Sequence, residues 1–200
     1  QIGYNVQLID PSTITKESLN KYDAVVLGIR AYNVVDELKF KQRFILDYAK
    51  NGGTVIVQYN TASRWGAQFE NIAPYDIEIS RDRVTNENSE VNIIAKDHSL
   101  VHFPNEIDEN DFNGWVQERG LYFPNKWSKE FTPILEMHDE GEEASKGSLL
   151  ISSYGKGFYI YTGLSFFREL PVGVPGAYKL FSNMLSVGKD KVETKVKIKG

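Results

Sequence analysis

The chain has 200 residues, of which 41% are hydrophobic and 25% charged, so it can bury one sizeable core. Its net charge of −4 excludes a global basic field for nucleic acid or an anionic membrane, and no apolar run approaches the roughly 20 residues that span a bilayer. The absence of cysteine excludes disulfides, thiolate metal ligands and a cysteine nucleophile.

The first quarter alternates strand and helix. Residues 4–9 are predicted to form a strand, ended by the turn residues 10–12. Residues 24–29 are a continuous apolar run, typical of a strand buried on both faces of a parallel sheet. A helix is predicted over 34–51, with Gly52-Gly53 as its stop, and a second buried strand over 54–58.

The middle of the chain is less regular. Within residues 62–90, the polar run 81–90 is interpreted as a loop or a solvated edge, and 91–95 as a short strand. Residues 97–147 show little periodicity and are predicted to be a long segment of the kind that often carries function.

The last part is regular again. Residues 148–152 and 158–162 flank Tyr154-Gly155-Lys156-Gly157, which predicts a hairpin. A helix is predicted over 175–187, because Pro175 suits the first turn and Gly188 ends it. For the tail, 189–200, the sequence is compatible with an added edge strand or with disorder.

Four segments together carry a family resemblance: 22–33, 51–61, 114–123 and 154–178. They resemble the C-terminal domain that follows the catalytic domain in bacterial PIG-L/LmbE-type deacetylases. That domain is similar in turn to the ThuA-like and class I glutamine-amidotransferase-like superfamily. The resemblance covers residues 1–188, taken as one domain. Residues 1–4 look like the end of its first helix, which implies that the first strand lies upstream, truncated or disordered.

The resemblance implies an α/β fold, a flavodoxin-like three-layer sandwich with a mainly parallel sheet and a C-terminal hairpin. It also implies a parent protein that is a zinc-dependent N-deacetylase of amino-sugar conjugates, periplasmic or secreted. Zinc is expected only in that catalytic domain, so this chain is expected to hold no cofactor and no metal. Its expected partners are that catalytic domain and a glycan or small polar ligand, with no nucleic acid and no membrane span.

The catalytic positions of amidotransferases are occupied by other residue types. Their nucleophile is a cysteine on a sharp turn after a strand, activated by a histidine. Gln58, Tyr59 and Asn60 stand at the matching turn, and tyrosine is a poor nucleophile with an unperturbed pKa of about 10. Phe166 stands where a ThuA-like relative carries histidine. We therefore expect no catalytic residue of the amidotransferase kind.

Six side chains follow two neighbouring predicted strands and should meet at the sheet's carboxyl edge, where open α/β sheets hold ligands. They are Arg30, Tyr32, Asn33, Gln58, Tyr59 and Asn60. Such polar and aromatic groups can satisfy the hydroxyls of a sugar. The alternative is that they hydrogen-bond one another and hold the loops together.

Further candidates follow the strand at 91–95. His98 and His102 have a spacing that suits zinc on a helix, but Pro104 disfavours a helix, so a histidine capping a turn is preferred. The acidic run 106–111 has carboxylates suited to calcium, but it lacks an EF-hand pattern and favours a solvated turn.

Glu118 and Arg119 stand among aromatic residues. We interpret them as an ion pair that anchors the long segment. The alternative is that Arg119 faces the crevice and contacts an anionic or hydroxylated ligand.

The sequence therefore predicts a non-catalytic accessory, docking or carbohydrate-binding domain of a larger deacetylase. The alternative is a small hydrolase or sugar-modifying enzyme that uses the crevice. In that case Tyr59, His98 and Glu118 or Arg119 would act as acid–base or stabilising groups. An enzyme needs at least two of these side chains within hydrogen-bond reach in one pocket.

Overall fold

A computed structural model describes residues 3–61 and 72–189 of the chain. The strands are β1 Ala24–Leu27, β2 Thr54–Gln58, β3 Ile77–Val84, β4 Val91–Ile93, β5 Gly120–Trp127, β6 Thr132–Pro133, β7 Leu135–Met137, β8 Leu149–Tyr154 and β9 Gly157–Thr162. The α-helices are α1 Ala31–Val34, α2 Leu38–Lys50, α3 Phe166–Val172 and α4 Pro175–Ser186. Short 3-10 helices cover Pro11–Thr13, Ser99–Val101 and Glu109–Phe112.

The central sheet has the strand order β1-β2-β9-β8-β6. Strands β1, β2 and β9 run parallel, and β8 and β6 complete the sheet in antiparallel fashion. The carboxyl ends of β1, β2 and β9 therefore lie at one edge. A mixed α/β architecture around a mostly parallel sheet was predicted, and it is confirmed.

Strand β2 shows why the sheet is buried on both faces. Its residues Thr54 to Val57 are all buried, and the side chains alternate between two cores. Ile56 belongs to a core on the face that α4 covers, whereas Val55 and Val57 belong to a core on the face that α2 covers. The continuous apolar run 24–29 was predicted to be buried on both faces in the same way, and this is wrong: β1 ends the strand order of the described sheet, and Val26 is 40% exposed.

The predicted helix over 34–51 is wrong at its start. Two helices replace it, α1 and α2, separated at Val35, which is extended at φ −114 and ψ 95. Adjacent β-branched residues disfavour a helix, and Asp36 bonds Lys39 Nζ at 2.8 Å as the chain turns. Val34, the last residue of α1, is 66% exposed.

The predicted strand over 4–9 does not form. Residues 4–10 have no regular structure, and Val6 and Leu8 are 83% and 94% exposed. A strand needs a neighbour for its backbone N–H and C=O groups, and this segment has no ladder partner among the described residues. Strand β1, predicted as 24–29, ends at Leu27.

The middle of the chain is more regular than predicted. Residues 81–84, interpreted as loop or solvated edge, end β3, which pairs antiparallel with β5. The segment 97–147 is not a long loop, because β5, β6 and β7 lie within it, and β7 pairs with β4, predicted as 91–95. Its aromatic residues form core, with Phe112, Trp115 and Phe123 at most 3% exposed.

The C-terminal predictions fare better. The hairpin β8–β9 is confirmed, with Gly155 at φ +61 in its turn, and the last helix is confirmed as α4. Helix α3 was not predicted from the sequence. Helix α4 approaches the backbone of Asp111 so closely that a Cβ on Gly176 would lie 1.8 Å from the Asp111 carbonyl oxygen.

The irregular predictions for 62–71 and the tail from 190 lie outside the described residues. Within the described part of the chain, no helix is long and apolar enough to cross a bilayer.

Candidate functional site

Six side chains converge at the carboxyl edge of the parallel strands. Tyr59, which directly follows β2, is 7% exposed. Its ring stacks on Tyr122 with centroids 5.7 Å apart and an interplanar angle of 19°, and it meets Phe167 at 5.5 Å. We call the following group the carboxyl-edge cluster: Arg30, Tyr59, Glu118, Tyr122, Phe167 and Arg168.

The backbone around this cluster is held in an uncommon conformation. Arg30, Gln117 and Tyr122 have φ values of 57°, 69° and 55°, the left-handed region that side-chain-bearing residues seldom occupy. The Arg30 N–H donates to the Tyr59 carbonyl at 2.7 Å, which fixes the loop after β1 against the loop after β2. Strain of this kind tends to concentrate at functional sites.

An ion pair borders the cluster, but not the predicted one. Glu118 accepts from Arg168 Nε at 2.7 Å, and their side chains are 14% and 35% exposed. Arg168 also lies over the Phe167 ring at 4.9 Å. The predicted pairing of Glu118 with Arg119 is wrong, because neighbouring residues point apart and Arg168 arrives on α3 from 50 positions away.

Arg119 is buried behind the cluster and does not face the crevice. It is 4% exposed, and its guanidinium donates to the carbonyl of Ser89 at 2.7 and 3.0 Å and to that of Phe112. Burial lowers the pKa of Arg119 to about 10, although nearby Glu169 opposes that shift. Arg119 therefore ties the loop after β3 to the segment before β5, a structural role.

Glu169 completes this layer from α3. It is fully buried and accepts from the Val116 N–H at 3.0 Å and from the Ser165 hydroxyl at 3.2 Å. Burial raises the pKa of Glu169. These bonds fix the first turn of α3 and hence the position of Phe167 and Arg168.

Three of the predicted binding residues hold the loops together instead. Tyr32 N–H donates to the Asn60 side chain at 3.0 Å, and Asn33 exchanges bonds of 2.8 and 3.2 Å with the backbone of Thr61. Tyr32 and Asn60 are both 2% exposed. The two loops meet as predicted: Asn33 and Asn60 bond the backbone of the facing loop, and the Tyr32 hydroxyl donates to Gln42 on α2. Gln58 is half-buried, and its carbonyl accepts from Asn60 Nδ2.

The histidine and carboxylate candidates lie in turns. His98 Nδ1 accepts from the Leu100 N–H at 3.0 Å and caps the 3-10 helix Ser99–Val101, as preferred from the sequence. His102 bonds Glu106 at 2.7 Å on the surface. Asp108 caps the 3-10 helix Glu109–Phe112, so the acidic run is a turn. Among the residues that the structure describes, no three His, Asp or Glu side chains are grouped to hold a metal ion.

The electrostatics of the cluster centre on the Tyr59 hydroxyl. Burial raises the pKa of Tyr59 most, and the charges of Arg30, Glu118 and Arg168 also act on it. The hydroxyl has no hydrogen-bond partner among residues 3–61 and 72–189. The ring is thus fixed by packing while a neutral hydroxyl remains free to bind. A hydroxyl, two guanidiniums and a carboxylate can together donate to and accept from a polar ligand.

Of the nine predicted site residues, the structure brings Arg30, Tyr59 and Glu118 together. Sequence reasoning missed Tyr122, Phe167 and Arg168. The only sequence signal for Tyr122 was that it is one of several aromatic residues in the segment 97–147. Phe167 and Arg168 directly follow Phe166, which was expected to stand in place of a histidine of ThuA-like proteins, and this was the one available signal.

A separate cleft of about 240 Å³ lies near the opposite end of the sheet, lined by His98, Glu130, Thr132, 151–153 and Phe158. Phe158 is level with Thr54 in the ladder, so Tyr59 is five residues, about 16 Å, farther along β2. The cleft shares no residue with the carboxyl-edge cluster. His98 and Tyr59 therefore do not form one pocket.

No family model and no curated protein matches the chain. Solved structures do. Two cytoplasmic proteins of Salmonella typhimurium are each 18% identical, with TM-scores of 0.54 and 0.55 over 86% of this chain and 74% of theirs. A ThuA-like protein of Bacteroides uniformis is 15% identical, with a TM-score of 0.53 over 92% of this chain and 77% of that one. The fold is ThuA-like. At such identities the likeness concerns the fold alone.

Proposed function

We propose that the chain is a non-catalytic domain that binds a carbohydrate at the carboxyl-edge cluster. The observation that carries this is the Tyr59 ring, fixed between Tyr122 and Phe167, with its hydroxyl left without a partner in the described residues. Aromatic rings and amphoteric hydrogen-bonding groups suit the apolar faces and the hydroxyls of a sugar ring.

The competing enzyme hypothesis loses two of its four candidate acid–base groups. Its acid–base set was Tyr59, His98 and Glu118 or Arg119. His98 caps a turn near the other end of the sheet, and Arg119 donates to backbone carbonyls in the core. Glu118 accepts from Arg168, so it is a carboxylate held in an ion pair rather than a free base. The groups that remain at the edge are suited to binding.

We also propose that this chain is a three-layer domain of the class I glutamine-amidotransferase-like type within a larger zinc-dependent N-deacetylase. It would dock on the catalytic domain of that enzyme. This parentage rests on the four segments that resemble the C-terminal domain of PIG-L/LmbE-type deacetylases. Burial of β2 between two cores supports the three-layer arrangement. In such a protein the domain would hold the glycan and the catalytic domain would supply the chemistry.

A calorimetric and thermal-shift screen tests the binding proposal. The panel consists of mono- and oligosaccharides that include N-acetylglucosamine conjugates. Any hit is repeated with Tyr59→Phe, which keeps the ring and removes the hydroxyl, and with Tyr154→Phe as the control. Tyr154 lies in the hairpin turn at the opposite edge. We expect Tyr59→Phe to raise Kd about fivefold, the value of one hydrogen bond of about 1 kcal/mol.

Two results would count against the proposal. One is a panel without a saturable hit, which would favour a docking domain alone. The other is a hit that both variants leave unchanged, which would put the sugar elsewhere on the surface.

A further inference from the structure

Resting on the proposed function, we propose that the carboxyl-edge cluster selects an anionic sugar and that Arg30 binds its negative group. The shared chemistry is a carboxylate or a phosphate carried on a sugar ring. The chain as a whole is acidic, with a net charge of −4, so a cationic binding edge is a local feature.

The charges of the cluster do not cancel. Glu118 neutralises Arg168 through a contact of 2.7 Å. Arg30 has no ion pair and no side-chain hydrogen bond within residues 3–61 and 72–189, and it is exposed. One cation therefore remains uncompensated beside the ring of Tyr59.

The backbone conformation of Arg30 holds this cation next to Tyr59. Arg30 adopts φ 57° and ψ 18°, a left-handed conformation that glycine tolerates far better, and its N–H is bonded to the Tyr59 carbonyl at 2.7 Å. The guanidinium is thus tethered to the residue whose hydroxyl faces the ligand. Its planar fork suits carboxylate and phosphate oxygens, which can accept two parallel hydrogen bonds.

Calorimetry with three matched sugars tests the inference: glucose, glucuronate and glucose 6-phosphate. We expect one or both anionic sugars to bind about fivefold to tenfold more tightly than glucose, the range of a charge-assisted bond at an exposed site. Arg30→Gln should remove that preference, because it weakens binding of the anionic sugars by a larger factor than binding of glucose. Arg43→Gln, an exposed arginine on α2, is the control and should retain it.

The outcomes separate the two proposals. Preference for glucuronate alone would identify a carboxylate, and preference for glucose 6-phosphate alone a phosphate. Equal binding of all three, unchanged by Arg30→Gln, would overturn the anionic preference and leave sugar binding standing. If acetate or inorganic phosphate binds as tightly as the sugars, the edge is a plain anion site and the inference fails. If none of the three binds while a neutral sugar of the wider panel does, the anionic preference is overturned and sugar binding stands.

Discussion

Asp139 offers a quantitative test of the scaffold behind the carboxyl-edge cluster. Its carboxylate accepts from the N–H and the hydroxyl of Thr85, both at 2.7 Å, from the Asn86 N–H at 3.0 Å and from the Ser89 hydroxyl at 2.8 Å. These bonds fix the loop after β3, whose Ser89 carbonyl receives Arg119. Burial pushes the pKa of Asp139 upward, but the hydrogen bonds outweigh it and lower the pKa from 3.8 to about 2.

The stabilisation that follows is pH-dependent. A carboxyl group with a lowered pKa in the folded state stabilises the fold above its unfolded value and loses that contribution as pH falls through the folded value. The difference between 3.8 and about 2 sets an upper limit of about 2 kcal/mol on this stabilisation at pH 7, and solvent exposure of the carboxylate lowers the contribution below that limit. About half of this contribution should remain at pH 3 and only a small part of it at pH 2.

Asp139→Asn removes the charge at nearly constant size. Urea unfolding followed by tryptophan fluorescence at pH 7, 5, 4 and 3 gives the free energy of unfolding of both proteins. We expect the wild-type advantage to be about 1–2 kcal/mol, constant down to pH 5, and to halve by pH 3. Glu140→Gln, on an exposed neighbour, controls for surface charge. An advantage that stays constant to pH 3 would refute the electrostatic explanation.

Two further predictions concern buried contacts. Arg119→Met should lower the free energy of unfolding, measured in urea, by about 2–4 kcal/mol, because the carbonyls of Ser89 and Phe112 lose their donor. The control is Arg81→Met at an exposed arginine. A loss no larger than that of the control would contradict the prediction. Gly176→Ala should lower the stability of the fold by about 1–3 kcal/mol, since the new Cβ would meet the Asp111 backbone. Gly28→Ala, with open space around it, should be close to neutral. Thermal melts of both variants compare the two effects. Equal melting temperatures for the two alanine variants would mean that α4 can shift away.

Sequence reasoning worked where structure is encoded locally. Strand β2 and the hairpin β8–β9 were predicted well, because an unbroken apolar run or a glycine turn marks them within a few residues. Helix α4 was equally clear from Pro175 and Gly188. Elements defined by distant partners were not. Strand β5 pairs with β3 some 40 positions away through an irregular register and contains Pro124, so no period-2 pattern betrays it. Pro171 within α3 masked that helix in the same way.

The candidate site shows the same division. Placing Arg30 and Tyr59 at one sheet edge followed from strand ends alone. The partner of Glu118 was misassigned, since sequence adjacency favoured Arg119 whereas α3 delivers Arg168 from far along the chain. Asn33 and Asn60 were predicted to bind ligand but bond the facing loop instead, which depends on loop geometry that residue types do not reveal.

The left-handed backbone at Arg30, Gln117 and Tyr122 has a consequence for how this protein can change. Substituting glycine at such a position would relieve the backbone strain, because glycine fits the left-handed conformation best, but it would remove the side chain. At two of the three positions, that side chain belongs to the carboxyl-edge cluster. Directed evolution for thermal tolerance would select glycine at these positions, and the stabilised protein would lose side chains of the carboxyl-edge cluster. A stabilised descendant that keeps arginine and tyrosine there would have to gain its stability elsewhere in the chain.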